Sequence, residues 1–527
     1  MPSRTLLVVV TCVLAACCGD GIDDGSAGRA SRAVIDGIEL APPEKPAPTT
    51  DETVPDTEPP FEPGPDATFP EPDDSPFEFV EYQEGLEDGY LDVPLDYADP
   101  EGETIELYVV RHRAQDPDRR IGSLLVNPGG PGFGGSGLAW NADGIYGQEL
   151  LDRFDIIGWD PRGTGFSEPY VDCVDNYDRY FGIDSSPDTP QERANTIELS
   201  TEFAQACADA SGELLPYLTT ENSARDMDAI RDALGEDEIS YFGFSYGSEL
   251  GATWATMFPD TVRAAVLDGS VDPTVGYLEQ NLQQAAGFEA AFTAFLDDCA
   301  AEPRCAFHNA GDPGGAFDLL SAGIDATPVA VDDDRTAVTQ GVLMSAVSSA
   351  LYDEASWTQL AKALADLQEG DGEGVLDLYD QYYSQGSFDG SNGTEAYFAV
   401  NCLDDPGSTG PDDLYSHEAE FAAVAPRLGR SWLLELTICS VWLVGPAGTV
   451  AITGAGAGPI LVMGTTGDSA TPLEGTRRMA ETLEDGHLVV VDANQHTGYG
   501  VNRCGDDTVD QYLVDPAAPL AEEIDCT

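Results

Sequence analysis

Basic residues are scarce in this chain. Its 527 residues include 96 aspartates and glutamates against 23 lysines and arginines, which gives a formal net charge of −73, and Lys45 and Lys362 are its two lysines. So acidic a surface repels nucleic acid and anionic lipid headgroups, and we expect no nucleic-acid partner. An acidic pocket for a cationic group explains part of this charge. Adaptation of the whole surface to high salt, which screens self-repulsion, explains far more of it.

The amino terminus lacks a hydrophobic run long enough to span a bilayer. Arg4 precedes a short apolar run over residues 6–14, which is typical of a signal peptide. The run ends in Leu14-Ala15-Ala16-Cys17, which resembles the lipobox of bacterial lipoproteins and so implies cleavage before Cys17 and a lipid on its thiol. The alternative is an ordinary signal peptide. In both cases we expect an extracytoplasmic protein, and a lipid on Cys17 would be its sole attachment to a membrane.

Patterns that bind metal are also missing. Histidines are few and no C-x-x-C motif occurs among the cysteines beyond the amino terminus, so no zinc site is expected. Eight cysteines agree with export, and sequential pairing is the simplest guess because each loop stays local, with Cys18 left over. The pairs would be Cys173–Cys207, Cys299–Cys305, Cys402–Cys439 and Cys504–Cys526.

Composition divides the chain into five parts. Residues 18–75 are rich in Pro, Asp, Glu and Thr, cannot bury enough apolar surface to fold, and are interpreted as a disordered tether. Between residues 273 and 440 helical patterns replace strand patterns, which predicts a cap over the sheet. The predicted parts are 1–17 (lipoprotein-type signal peptide), 18–75 (tether), 76–272 (first part of an α/β core), 273–440 (helical cap) and 441–527 (the rest of the core).

Short apolar strands alternate with helices outside the predicted cap. Such alternation predicts a mostly parallel sheet with helices on both faces. The predicted strands are 104–110, 123–126, 155–159, 238–242, 264–267, 459–463 and 488–491, and the predicted helices are 224–234, 248–258, 278–296, 357–367 and 375–383.

Gly243-Phe244-Ser245-Tyr246-Gly247 lies between a predicted strand and a predicted helix. The pentapeptide alone is a weak signal, but in this context G-x-S-x-G is the nucleophile elbow, in which small residues allow a sharp turn that exposes the serine hydroxyl. Ser245 is therefore the candidate nucleophile. A serine hydroxyl needs a base, usually a histidine that a carboxylate orients.

His496 is the candidate base, because it follows the last predicted strand in a polar loop, whereas His487 precedes that strand. Asp468 is the candidate acid, because it follows the penultimate strand directly. Asp492 is the competitor, but it lies too few residues before His496 to reach it from a neighbouring strand. The order Ser, Asp, His agrees with this arrangement.

A glycine-rich segment, residues 127–135, follows the strand 123–126. Its backbone at Gly130, together with the N–H of Tyr246, is the predicted oxyanion hole. A phosphate-binding loop is the rival interpretation. It is rejected because no G-K-[ST] follows and the loop carries no positive charge.

Five ordered motifs from about Tyr90 to the carboxyl terminus resemble the α/β-hydrolase superfamily, and within it the secreted tripeptidyl aminopeptidase and proline iminopeptidase group of serine peptidases. Pro128 stands where that group commonly has His, which leaves the backbone donors intact. The motifs are the oxyanion loop Asn127-Pro128-Gly129-Gly130-Pro131-Gly132, the turn Asp160-Pro161-Arg162-Gly163-Thr164-Gly165-Phe166-Ser167, the elbow at Ser245, Asp468-Ser469-Ala470-Thr471-Pro472, and the tail from His496 through Cys504 to Cys526.

The resemblance implies an α/β-hydrolase fold with a helical cap, and an exopeptidase that binds a free amino terminus under the cap and works through an acyl-enzyme, without metal or cofactor. It does not determine the length of the released unit. An aminopeptidase needs a carboxylate for the substrate ammonium, and the predicted cap offers many, Asp404 and Asp405 among them. Two other functions stay open: a carboxylesterase of the same fold, and an inactive lipoprotein that binds a ligand.

Overall fold

The structure is a computed structural model that describes residues 79–331, 335–383 and 392–527, together with a two-stranded antiparallel ribbon, β1 (Ala33–Ile35) and β2 (Ile38–Leu40). The predicted signal peptide, with Cys17, and the rest of the predicted tether lie outside the described residues. The remaining strands are β3 (Val80–Gln83), β4 (Leu86–Pro94), β5 (Thr104–His112), β6 (Gly122–Asn127), β7 (Phe154–Trp159), β8 (Ile239–Phe244), β9 (Val262–Asp268), β10 (Ile460–Thr465), β11 (Gly486–Val491) and β12 (Glu523–Cys526).

These ten strands form one sheet in the order β12-β11-β10-β9-β8-β6-β7-β5-β4-β3. The pairs from β12 to β7 are all parallel, and β5, β4 and β3 extend the sheet by antiparallel pairs. The mostly parallel sheet predicted from the sequence is confirmed. Because parallel strands end at the same edge, the loops that follow β6, β8, β9, β10 and β11 meet there.

Helices cover both faces of the sheet. They are α1 (Ser136–Trp140), α2 (Ala142–Ile145), α3 (Gln148–Arg153), α4 (Asp178–Phe181), α5 (Pro190–Ser211), α6 (Thr220–Ala233), α7 (Tyr246–Met257), α8 (Tyr277–Ala301), α9 (Pro313–Ala326), α10 (Gln340–Ala350), α11 (Trp357–Gln368), α12 (Glu373–Tyr382), α13 (Gly393–Asp404), α14 (Pro411–Tyr415), α15 (Glu418–Val424), α16 (Gly429–Ser440), α17 (Leu473–Thr482) and α18 (Arg503–Val514).

Alternation along each strand divides the core between the two faces. Leu125 and Val462 pack with α6, α7 and α17 on one face, whereas Val126 and Met463 pack with α1, α3 and α18 on the other. The central strands are buried on both faces, which explains their continuous apolar runs.

A third apolar core lies within the helical body built from α8 to α16. Phe203 and Cys207 of α5 also belong to this core, although the predicted boundaries place them in the sheet-containing part. The boundaries of the predicted parts remain predictions. No helix among the described residues combines the length and the apolar character needed to cross a bilayer.

Four disulfides join the sequential cysteine pairs. Cys173–Cys207 joins the segment after β7 to α5, Cys299–Cys305 closes a short loop at the end of α8, Cys402–Cys439 joins α13 to α16, and Cys504–Cys526 joins α18 to β12. Closing such loops reduces the conformational entropy of the unfolded chain, and disulfides of this kind persist in oxidising compartments.

Candidate active site

The chain bends sharply at Ser245, between β8 and α7. Ser245 has φ 55° and ψ −127°, a backbone conformation with positive φ that residues other than glycine seldom adopt. Glycine is required on both sides of it. A Cβ at Gly243 would lie 2.2 Å from the carbonyl oxygen of Gly247, and a Cβ at Gly247 would lie 2.8 Å from the carbonyl oxygen of Asn127. The small residues of G-x-S-x-G therefore permit the turn that places Ser245 at the carboxyl end of β8.

His496 and Asp468 meet at the same edge of the sheet. Asp468 follows β10 and His496 follows β11, on neighbouring parallel strands. The Nδ1–H of His496 donates to the carboxylate, with 2.9 Å to Oδ1 and 3.0 Å to Oδ2. Nε2 of His496 is buried and has no hydrogen-bond partner among the described residues. This nitrogen is therefore the one left to accept a proton from a nucleophile.

Four further donors hold the Asp468 carboxylate. They are the backbone N–H groups of Ala470, Thr471 and Thr497, at 3.0, 2.7 and 3.1 Å, and the Thr471 hydroxyl, at 3.0 Å. Thr471 Oγ1 also lies 3.2 Å from Nδ1 of His496. These contacts determine the orientation of the carboxylate and, through it, of the imidazole. Thr471 is the Thr of the D-x-x-T-P motif, so the motif contained a signal for its role that the sequence analysis did not use.

The surroundings of His496 shift its pKa upward. Burial by itself favours the neutral imidazole, but the charge of Asp468, its hydrogen bond to Nδ1 and the charge of Asp268 together outweigh burial and raise the pKa of His496 above its ordinary value. A histidine whose protonated form is stabilised in this way is a stronger base.

Asp268 is a second buried carboxylate beside the histidine loop, and the sequence analysis missed it. It ends β9, where its Oδ1 and Oδ2 accept from the N–H groups of Gly498 and Tyr499 at 2.7 and 2.8 Å. Its backbone oxygen accepts from the N–H of Ser245 at 2.8 Å. One residue thus connects the serine turn to the histidine loop. Burial raises the pKa of Asp268 to about 7, against the opposing effect of its hydrogen bonds. An Asp directly after a predicted strand was the available signal.

The glycine-rich loop after β6 packs directly against the serine turn. A Cβ at Gly129 would lie 2.4 Å from the carbonyl oxygen of Phe244 and 2.9 Å from the backbone nitrogen of Tyr246. The N–H of Gly129 is occupied, because it donates to the side chain of Asn127 at 2.9 Å. Gly130, at φ +108°, lines the same cavity as Ser245 and Tyr246. Only glycine tolerates this close approach in these backbone conformations.

A cavity of about 300 Å³ lies over this edge of the sheet, beneath the helical body. Gly130, Ser245, Tyr246 and His496 line it, so the cavity brings together four of the predicted site residues, with Asp468 buried behind His496. Six tyrosines also line it: Tyr246, Tyr277, Tyr352, Tyr382, Tyr383 and Tyr397. The size is that of a small-molecule or short-peptide site.

The helical body contacts the acid and histidine loops through hydrogen bonds. The N–H of His496 donates to the carbonyl of Tyr352 at 2.8 Å, and the ring of Tyr352 lies edge-on to the imidazole at 5.5 Å. The Ser469 hydroxyl donates to the carbonyl of Leu351 at 3.0 Å, and the Gln284 amide donates to the carbonyl of Ala470 at 2.8 Å. The cap side of the cavity is therefore attached to the loops that carry the candidate acid and base.

Three carboxylates in or beside the cavity have no cationic partner among the described residues. Glu249 and Glu435 line it, and Asp404 lies behind Tyr246, where it accepts from the N–H of Thr220 at 3.2 Å. Burial raises the pKa of each of the three to about 7. Among the described residues that line the cavity, none is Lys or Arg. Of these three, the sequence analysis named only Asp404.

The rival candidates lie elsewhere. His487 begins β11 at the opposite edge of the sheet, with Nδ1 2.8 Å from the carbonyl oxygen of Ala521. Asp492 is exposed and accepts from the Thr466 hydroxyl at 2.7 Å. The described residues contain no group of three or more His, Cys, Asp or Glu that could hold a metal ion. A nucleophile, a base with a free nitrogen and backbone donors around one cavity are the components of acyl transfer.

Comparison with known proteins agrees with this geometry. The sequence profile described as the alpha/beta hydrolase fold matches residues 122–502. The chain is 33% identical over 450 residues to the serine protease Hip1 of Mycobacterium tuberculosis, covering 82% of this chain and 85% of that protein. It is 32% identical over 452 residues to the tripeptidyl aminopeptidase of Streptomyces lividans, covering 81% of each.

A further relative is the carboxylesterase B of Mycobacterium tuberculosis, 32% identical over 446 residues, which cover 81% of this chain and 84% of that protein. Profile and relatives extend over most of the chain and include β6, β8, β10 and β11, whose loops form the site. The chain therefore belongs to the α/β-hydrolase family and is a serine hydrolase.

Proposed function

We propose that the protein is an extracytoplasmic serine exopeptidase that releases tripeptides or other short units from the amino terminus of peptides. The observation that carries the proposal is the cavity itself. It is lined by Ser245, by His496 and by a carboxylate of the helical body, Glu435, for which the described part of the chain supplies no cationic partner. The relatives named serine protease and tripeptidyl aminopeptidase support a peptide substrate.

In the proposed reaction, Ser245 Oγ attacks the carbonyl carbon of the scissile peptide bond while Nε2 of His496 takes the hydroxyl proton. Asp468 holds Nδ1–H and stabilises the imidazolium that forms. The backbone N–H groups of Gly130 and Tyr246 donate to the oxyanion. His496 then gives its proton to the leaving amine. Water, activated by the same histidine, hydrolyses the acyl-enzyme and regenerates Ser245.

Glu435 is the group we assign to the substrate ammonium. It lies on α16, opposite the sheet, and its only hydrogen bond among the described residues comes from the hydroxyl of Tyr382 at 3.2 Å. A buried carboxylate of this kind is costly unless a cation joins it. The free amino terminus of a peptide supplies that cation, and an acetylated one does not.

The test is hydrolysis of p-nitroanilides of one, two and three residues, with free or acetylated amino termini, by the wild type and by Ser245→Ala. We expect cleavage that requires the free amine, is best for a short peptide, and is lost in Ser245→Ala. Cleavage of acetylated and free substrates at equal rates would contradict the exopeptidase assignment.

A carboxylesterase is the second candidate, because one relative carries that name. A short-chain p-nitrophenyl ester in the same assay distinguishes the two. Hydrolysis of the ester with no cleavage of any free peptide would favour the esterase. Loss of both activities in folded protein would favour a binding role.

Attachment to the membrane through a lipid on Cys17 is part of the proposal. The four disulfides support an extracytoplasmic location. Cys17→Ser should release active protein from the membrane fraction of the expressing cells. The neighbouring Cys18→Ser is the control and should leave the protein there. Equal distribution of the two variants would contradict lipidation at Cys17.

A further inference from the structure

Glu249 is a half-buried carboxylate for which the proposed reaction has no use. It lies in the first turn of α7 and lines the cavity together with Ser245 and His496. Burial alone raises its pKa to about 7, since no hydrogen bond and no cation from the described residues opposes that effect. An unpartnered carboxylate in such a place is destabilising, and its position in the same cavity as the nucleophile points to a ligand.

The position of Glu249 on α7 directs it to the reacting end of the substrate. Ser245 is the N-cap of α7 and Glu249 is the fourth residue after it, so their Cα atoms are separated by about 6 Å along the helix axis. Helical side chains lean toward the helix amino terminus. The Glu249 carboxylate therefore approaches the region occupied by the residue whose carbonyl carbon Ser245 attacks.

The wall around Glu249 is negative and amphipathic. The negative charge of Glu249 contributes to the raised pKa values of both Tyr246 and Asp404. The hydroxyl of Tyr246 shares a hydrogen bond of 2.5 Å with Thr220, which in turn donates to Asp404 at 2.5 Å. Carboxylates beside phenol rings suit a long side chain with an apolar stem and a cationic end.

Glu249 and Glu435 line the cavity from different parts of the fold, because Glu249 lies on α7, which packs on the sheet, and Glu435 lies on α16 of the helical body. In a tripeptide the amino terminus lies two residues beyond the residue that is attacked, or about 7 Å at 3.3–3.6 Å for each residue. We therefore expect the ammonium of the substrate to bind Glu435. Glu249, one helical turn from Ser245, is then available to bind a side chain of the substrate.

We propose that Glu249 forms a subsite for the positively charged side chain of a Lys or Arg at the position whose carbonyl carbon Ser245 attacks. This proposal rests on the proposed exopeptidase function and adds the chemical class of the released unit's last residue. Because the described residues of the pocket wall include no Lys or Arg, an acidic side chain at that position is repelled by Glu249 and left unpaired.

The experiment uses free-amine tripeptide p-nitroanilides Ala-Ala-X, with X as Lys, Arg, Met, Gln or Glu. The enzymes are the wild type, Glu249→Gln and, as the matched control, Glu435→Gln. We expect the wild type to prefer Lys and Arg over Met and Gln by about 10- to 100-fold in kcat/KM, with Glu poorest. In Glu249→Gln, kcat/KM for the Lys and Arg substrates should fall by that factor, whereas kcat/KM for the Met substrate should stay within about 3-fold of the wild-type value.

Glu435→Gln should lower kcat/KM for every X by a similar factor and preserve the Lys-to-Met ratio. Activity of Glu249→Gln on Met substrates shows at the same time that the variant is folded. Peptide cleavage without a preference for Lys and Arg, or a preference that survives Glu249→Gln, would overturn the subsite and leave the exopeptidase intact. A uniform loss in Glu249→Gln would assign Glu249 to the ammonium instead. Failure to cleave any peptide would overturn both proposals.

Discussion

The sheet edge and the helical body that covers it differ in how they contribute to the site. At the sheet edge, each candidate catalytic residue follows a different parallel strand, so the backbone ladder of the sheet determines the distances between them. In the helical body, the polar groups that reach the cavity come from helices that pack through an apolar core. We infer that the sheet side carries out acyl transfer and that the helical body binds the amino terminus of the substrate.

The largest expected effect comes from removing the base at the sheet edge. His496→Ala should lower kcat/KM by about 10⁵- to 10⁶-fold for every substrate, because Ser245 loses its proton acceptor. His487→Ala is the matched control, since His487 lies at the opposite edge, and it should retain wild-type rates. The measurement is kcat/KM on the best free peptide and on an ester. Similar losses in both variants would contradict the assignment of His496.

Removing the acid should give the next largest effect, and it should also change how the rate depends on pH. Asp468→Asn should lower kcat by about 10³- to 10⁴-fold. The neutral imidazole is the active form, so the rate falls as pH drops through the pKa of His496, which Asp468 raises. Removing that charge lowers the pKa, and the acid limb of the kcat/KM profile should move to lower pH.

Asp492→Asn is the control for the acid, and it should change neither the rate nor the acid limb, because Asp492 is exposed and contacts Thr466. A profile in Asp468→Asn that keeps the wild-type acid limb would show that Asp468 does not interact with the titrating base.

On the cap side, Glu435→Gln should act on binding rather than on chemistry. We expect KM for free-amine peptides to rise by about 10- to 100-fold, the range for losing a charge-assisted contact, while the rate of Ser245 labelling by a fluorophosphonate stays unchanged. Steady-state kinetics on free and acetylated peptides measure the first effect, and labelling rates measure the second. A parallel fall in labelling would show that the cap also supports the chemistry.

Removing the disulfide between α13 and α16 should also raise KM, but by a smaller factor. Replacing Cys402 and Cys439 by Ala opens a loop with a sequence separation of 37 residues, which costs about 2–4 kcal/mol of unfolding free energy. Because both helices line the cavity, KM for free peptides should rise several-fold. Replacing Cys299 and Cys305 should leave KM unchanged, since that bridge lies at the far end of α8. Thermal unfolding and KM are the readouts, and equal KM values in the two variants would contradict this view.

The smallest expected effect is on stability. The pKa of Glu249 is raised to about 7 in the folded state, whereas an unfolded Glu titrates near pH ~4.3. Between these values the folded state binds more protons, so the free energy of unfolding falls as pH rises. Glu249→Gln should therefore raise Tm by about 1–4 °C at pH 8 and by less at pH 4.5. The exposed Asp377→Asn is the control, and an equal gain at both pH values would contradict the explanation.

The difference between the sheet edge and the helical body also explains which features could be predicted from the sequence. All seven predicted strands correspond to strands of the sheet, because runs such as residues 123–126 and 488–491 are apolar, short and bounded by turn residues. Position after a strand was enough to place Ser245, Asp468 and His496 at one edge, since parallel strands share their carboxyl ends. Asp268 fits the same rule and was overlooked.

The cap could not be predicted in the same detail. Helical periodicity indicated α8, α11 and α12, but it carries no information on which helix faces the cavity. Glu249 and Glu435 stand among many acidic residues of helices, and only packing distinguishes them from solvated ones. The strand β12 was also missed, because its four residues include two acidic ones and it depends on pairing with β11.

The most direct test of the account is to trap the acyl-enzyme. The wild type is mixed with a ten-residue peptide bearing a free amino terminus, quenched in acid within one turnover, and mapped by mass spectrometry. We predict an adduct of the first three residues on the fragment that contains Ser245, and no adduct when the same peptide is acetylated. An adduct on another residue, or an equal yield from the acetylated peptide, would contradict a serine exopeptidase built on Ser245.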